Sequence, residues 1–280
     1  MKTGLIDVGG GFRGTYGAGA MDYFIEKNIN FDVNIGVSAG SGNIANYMAK
    51  QKGRCMPFYT QYGSRPECTG IRNFLTTGSY INLDYLYGEL ASSNGENPLD
   101  YRTLKENPAE FIIVATDAIT GDTKYFTKDD LKQDDYSPIM ASSSLPAVGE
   151  PRIIDSVPYF DGGLSDPVPV QKAFDAGCDK VVLILTKPRE YRREPGKDAV
   201  FAALLEHRFP QISRRLSLRY KTYNYGVDLA EYYASQGKLL ILAPDDTCGL
   251  ETIARTEDGM YQMYSKGYSD ADKVLDFLKE

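Results

Sequence analysis

The chain reads as an α/β protein built on a mainly parallel sheet with helices on both faces. Short, continuous apolar runs such as GLIDV, VVLIL and LLIL recur along the sequence, and stretches with helical spacing separate them. Continuous apolar runs, unlike alternating ones, suit strands buried on both faces, as in a parallel sheet. GLIDV and FDVNIGV also stop at glycine-containing turns that open directly into helical patterns.

GLIDV (residues 4–8) is the first strand, and Tyr16, Ala20, Phe24 and Ile25 then fall on one face of a helix. FDVNIGV (31–37) is the second strand, followed by a helix over 39–50. Residues 53–100 are rich in Gly, Ser, Tyr and Asn, with only LDYLYGELA helical, so they form an excursion suited to a lid or to pocket walls. FIIVATDA and TKYFT flank a Thr-Gly-Asp turn, and RIID and VPYFD meet at Ser156. The helix QKAFDAG, the strand KVVLILT, a charged loop over 186–198, a helical stretch to Tyr233, the strand KLLILAP and a final helix to Glu280 complete the series. With 280 residues, 42% of them hydrophobic, the chain can build one large core, and a single domain over 1–280 is expected.

Composition excludes several classes of function. A net charge of −7 gives no electrostatic footprint for nucleic acid. Cys55, Cys68, Cys178 and Cys248 match no zinc spacing, and His207 is the only histidine, so a structural metal site is not expected. No apolar run approaches the ~20 residues that span a bilayer. The first ten residues lack the apolar segment of a secretion signal, so a cytoplasmic protein with reduced thiols is expected.

Three motifs carry chemistry. DVGGGFRGTYGAGA (7–20) places three glycines after a strand, where backbone N–H groups can turn toward negative charge. Gly9, Gly11 and Gly14 also satisfy a dinucleotide fingerprint, but that reading needs an acidic residue closing the second strand, where Val37 and Ser38 stand instead. GVSAG (36–40) is a G-x-S-x-G elbow between strand and helix, the setting in which a serine hydroxyl is exposed as a nucleophile. YFDGG (159–163) puts Asp161 at the end of an apolar strand, although Asp-Gly is also a common turn.

A serine nucleophile needs a base and oxyanion donors. The order Ser38, Asp161, His207 fits an α/β-hydrolase triad. Against it, the glycine loop and the elbow follow the first and second strands here, and His207 closes a helical run where a capping cation fits.

Taken together, G-G-G-x-R-G, G-x-S-x-G and D-G-G in that order resemble the patatin-like phospholipase family, and ASSSLPAV (141–148) is similar to a segment that family carries before its aspartate. The resemblance implies a three-layer α/β/α fold, a Ser-Asp dyad without histidine, and hydrolysis of lipid acyl esters without a cofactor. It makes Ser38 the nucleophile and Asp161 the base. Gly9, Gly10, Gly11 and Arg13 fall in the oxyanion loop, joined by the N–H of Ala39 after the nucleophile. Val8 stands where the family often has glycine, and SDPVPV follows the aspartate in place of the usual Asn-x-Pro run. The expected partner is a lipid or fatty acyl ester. Residues 204–235 combine Arg208, Arg214, Arg215, Arg219 and Lys221 with a tyrosine-rich stripe, a candidate for peripheral membrane contact, but an ordinary helix packed on the core is the preferred reading.

Overall fold

The computed structural model describes residues 1–146 and 148–279; Ala147, in the ASSSLPAV segment, and Glu280, at the end of the last helix expected from sequence, lie outside the described residues. Strand β1 (Thr3–Asp7) runs through the glycine loop into α1 (Thr15–Glu26), and β2 (Val33–Val37) runs into α2 (Ala39–Met48). The excursion contains α3 (Cys55–Thr60), α4 (Ile71–Thr77) and a widened helical turn over Asp84–Leu90, and α5 (Tyr101–Glu106) closes it. A hairpin of β3 (Glu110–Asp117) and β4 (Thr123–Thr127) precedes α6 (Ser137–Ser143) and a second hairpin, β5 (Arg152–Ile154) with β6 (Val157–Asp161). The remainder is α7 (Val170–Asp175), β7 (Lys180–Ile184), α8 (Ala199–Leu205), α9 (Pro210–Ser235), β8 (Leu239–Leu242), α10 (Glu257–Asp270) and α11 (Lys273–Lys279).

The sheet order is β5-β6-β3-β2-β1-β7-β8, with β4 also on β3. β3, β2, β1, β7 and β8 are parallel, because a helix or the long excursion intervenes between each and the next in sequence. The antiparallel pairs come from the two tight hairpins and from β6 returning along β3. Alternate side chains face opposite layers. Leu5, Ile113, Val182 and Ile184 pack with α1, α2 and α10 on one face, whereas Ile6, Ile112, Val181 and Leu183 meet the core under α7 and α9 on the other. Full burial of each such side chain contributes about 1.5–3 kcal/mol. Phe31, expected at the start of the second strand, lies just before it and packs edge-on against Phe24.

Register on β3 sets up the site. Val114 pairs with Val37 of β2 on one edge and with Tyr125 of β4 on the other. Ala115 pairs with Lys124 of β4 and with Asp161 of β6. β2 and β6 therefore share one edge of β3, meeting end to end from opposite directions. The last residue of β6, Asp161, arrives where β2 gives way to Ser38.

Candidate active site

Ser38 sits at the N-cap of α2 with φ 56° and ψ −133°. This left-handed backbone is costly for a residue with a Cβ, on the order of 1–3 kcal/mol. Its surroundings hold it there: the Ser38 N–H donates to Ser142 Oγ at 2.9 Å, and its carbonyl accepts from the Ser41 N–H at 2.9 Å and Ser41 Oγ at 2.6 Å. Glycine is required on both sides of the elbow. A Cβ on Gly36 would lie 2.4 Å from Ser41 Cα, and one on Gly40 would lie 2.2 Å from the Asp7 carbonyl.

Asp161 is buried, with its backbone carbonyl accepting from Thr116 Oγ1 at 2.8 Å and its N–H donating to the Ser144 carbonyl at 2.8 Å. One carboxylate oxygen, Oδ1, accepts from the Gly163 N–H at 2.7 Å, while Oδ2 has no partner among the described residues. Burial raises its pKa above the ordinary carboxylate range, while the neighbouring Ser38 hydroxyl, the positive charge of Arg219 and the Gly163 N–H all favour the ionised form. Ser38 is thus a neighbour that favours the carboxylate of Asp161, whose Oδ2 has no hydrogen-bond partner among the described residues. Ser142 and Ser144 place the ASSSLP segment between the two residues, one bond to each backbone.

The glycine loop arches over the elbow. Gly9, Gly10 and Gly11 have φ of 61°, 123° and 61°, and a Cβ on Gly9 would come within 2.4 Å of the Val37 carbonyl and 2.9 Å of the Ala39 nitrogen. Sequence reasoning grouped Gly9 with the oxyanion donors, but its N–H is already bonded to Asp7 Oδ1 at 2.9 Å. Gly9 supplies close packing, and its carbonyl accepts from the Thr186 hydroxyl. No group among the described residues accepts from the N–H of Gly10, Gly11 or Ala39, leaving these three as the available donors. Arg13 is buried beneath the loop, bonded through one nitrogen to Thr252 Oγ1 at 3.1 Å, with Nε unpartnered.

A model of the patatin-like phospholipase family matches residues 8–174, which include the glycine loop, Ser38 and Asp161. The chain belongs to the patatin-like phospholipase family. It is also 30% identical over 199 residues to the Escherichia coli K12 protein described as uncharacterized protein YjjU, an alignment covering 69% of this chain and 54% of that protein, so the chain spans about half the length of this curated relative. The crystal structure of VipD from Legionella pneumophila is similar at a TM-score of 0.49 and 14% identity, covering 98% of this chain and 67% of that one.

Two cavities meet at Ser38. One holds about 940 Å³ of empty space counted out to solvent, between the patatin-like elbow and the excursion, with Phe58, Tyr59, Ile81, Leu86, Tyr87 and Ile139 among its walls. The other opens on the far side of Ser38 and is lined by Arg13, Lys187 and Arg219, by Arg193 ion-paired with Asp198 at 2.6 Å, and by Asp161 and Glu251. Much of this second wall comes from residues beyond the family match. Arg219 reaches in from α9, its Nε donating to the Gly163 carbonyl at 2.9 Å. Lys187 lies 3.6 Å from the ring centroid of Tyr191, in the charged loop over 186–198. Val8, the residue standing where the family often has glycine, also lines this basin.

The stripe read from the sequence of α9 turns to the core through Ile212, Leu216, Val227 and Ala230. His207 is exposed in the turn after α8 and lines neither cavity. The four cysteines are unpaired, and no group of residues suited to a metal occurs among the described residues. Among the described residues, no helix is long and apolar enough to cross a membrane. Sequence reasoning gave no site role to Arg219, Thr252, Thr186 or Ser142. Only the ASSSLP segment carried a signal, and that signal lay in its resemblance to the family.

Proposed function

We propose that this chain is a lipid acyl hydrolase working through a Ser38–Asp161 dyad. The observation that carries the reading is the meeting, on one edge of β3, of a strained serine and a buried carboxylate with a free oxygen, beneath three unpaired N–H groups. Asp161 takes the proton as Ser38 Oγ attacks the substrate carbonyl carbon, and the oxyanion that forms is met by the N–H groups of Gly10, Gly11 and Ala39. Collapse of this tetrahedral species breaks the ester bond, and the leaving alcohol departs with the proton held by Asp161. A water then gives its proton to Asp161 and attacks the acyl-enzyme, and the released acid leaves Ser38 reprotonated. The positive N-terminal end of α2 points at the same centre.

The cavities divide the ester between them. The apolar one suits the acyl chain, and the cationic basin suits an alcohol half carrying phosphate, which favours phospholipids or lysophospholipids over neutral glycerides. Treatment with a fluorophosphonate probe should label the wild-type protein once, at Ser38, and leave Ser38→Ala unlabelled. Labelling that persists in the variant would remove the nucleophile from the proposal.

A further inference from the structure

The mouth of the site is flanked by two helices that hold large apolar side chains out in water. On α4, Ile71 and Leu75 are 73% and 79% exposed, and on α8, Val200 and Leu204 are 73% and 69% exposed. Each pair is spaced i, i+4, so each forms a ridge along its helix. The two helices come together at Glu150, each beside one of the two cavities that share Ser38. Glu150 accepts both Arg208 nitrogens just beyond α8, at 2.9 and 2.7 Å, and lies against Gly78 at the end of α4. The loop leading to Glu150 supplies Leu145, Pro146 and Val148 to the wall of the basin, where Phe201 of α8 also projects. On the other side, Thr69 and Ile81, which bracket α4, line the apolar cavity.

We propose that these two ridges are a docking face for the surface of a phospholipid bilayer, which presents substrate to the opening between them. The inference rests on the lipid acyl hydrolase reading and adds the surface through which the substrate arrives. Clustered exposed apolar residues on a water-soluble protein mark an interaction site. A bilayer fits this cluster better than a second copy of the chain, because a protein seated across both ridges would cover the opening. A bilayer pressed against them lets an acyl chain pass into the apolar cavity without crossing water. Exposed Arg72 on α4, in a protein of net charge −7, adds a cation where lipid phosphates would lie.

The chain contains no tryptophan, so Leu75→Trp and Leu204→Trp each create a lone fluorescent reporter. Tyr232→Trp is the control: it lies 13 residues beyond Arg219 on α9, about 20 Å further along the helix. With vesicles of phosphatidylcholine and phosphatidylglycerol, emission at 75 and 204 should shift to the blue and be quenched by brominated acyl chains, while 232 stays unchanged. The double variant Leu75→Glu/Leu204→Glu should lose about tenfold or more in vesicle affinity and keep wild-type turnover of a soluble short-chain ester. Reporters indifferent to vesicles, or vesicle binding unchanged in the double variant, would overturn the proposal. So would a concentration-dependent dimer whose formation alone shifts both reporters. Absence of ester turnover in the wild type would instead sink the hydrolase reading, with the reporters still deciding whether the ridges dock.

Discussion

Asp7, last residue of β1, is fully buried with no cation beside it, its Oδ1 holding the Gly9 N–H and its Oδ2 the Asn43 side-chain amide, each at 2.9 Å. Burial pushes its carboxyl from the ordinary 3.8 to about 6, against the pull of those two bonds. The folded state therefore binds this proton more tightly than the unfolded chain. As pH rises from about 4 to 6 the unfolded chain ionises first, and the native state loses about 3 kcal/mol from this group. Asp7→Asn removes the titration. Urea melts across that window should show the stability difference swinging toward the variant as pH rises, and a difference that stays constant would contradict this account of Asp7. The same carboxylate anchors the loop through Gly9, so the residue that costs stability at neutral pH fixes the frame of the proposed oxyanion donors.

At the scale of elements, α9 does two jobs: its apolar stripe closes one face of the sheet while Arg219 leans on the Asp161–Gly163 turn. Arg219 favours the carboxylate form of Asp161, countering the burial that raises its pKa; Arg193, Asp198 and Tyr191 are the other ionisable groups that bear on Arg219. Arg219→Met should raise the Asp161 pKa further and move the acid limb of kcat/KM to higher pH. The deficit should shrink as the pH is raised, with Arg219→Lys restoring part of the loss. An equal loss at every pH would make Arg219 a structural support only. Such a role was not legible in the sequence, where Arg219 belonged to a basic run with several solvent-facing neighbours. Local signals did show the strand-loop-helix units, because Gly9, Gly10 and Gly11 take backbone conformations that favour glycine and Gly36 and Gly40 leave no room for a Cβ. They failed for residues 243–256, which carry Thr252 to Arg13 across 239 positions, and for the partners Ser142 and Thr186. Contacts of that separation depend on how the sheet is ordered, and no pattern within a short window encodes them.

For the molecule as a whole, the topology explains why the glycine loop, the serine and the aspartate, spread over 7–163, share one place. β1 and β2 are adjacent parallel strands that end together, and β6 returns along β3 until its last residue meets the end of β2. The α/β class and its mainly parallel sheet were readable from the alternation of apolar runs and helices. The antiparallel edge followed from the Thr-Gly-Asp and Asp155–Ser156 turns, the latter with φ of 48° and 66°. Beyond the family match, the chain adds Lys187, Arg193 and Arg219 to the wall of the cationic cavity, and α8, whose Phe201 also lines it. The central claim is that Asp161, with no histidine, takes the proton of Ser38. The measurement that tests it most directly is kcat for fatty acid release from a phospholipid by Asp161→Asn beside His207→Ala, both checked for folding by circular dichroism. The account predicts that Asp161→Asn loses about 10² to 10⁴-fold while His207→Ala keeps wild-type turnover. Wild-type turnover in Asp161→Asn, or a collapse of turnover in folded His207→Ala, would contradict it.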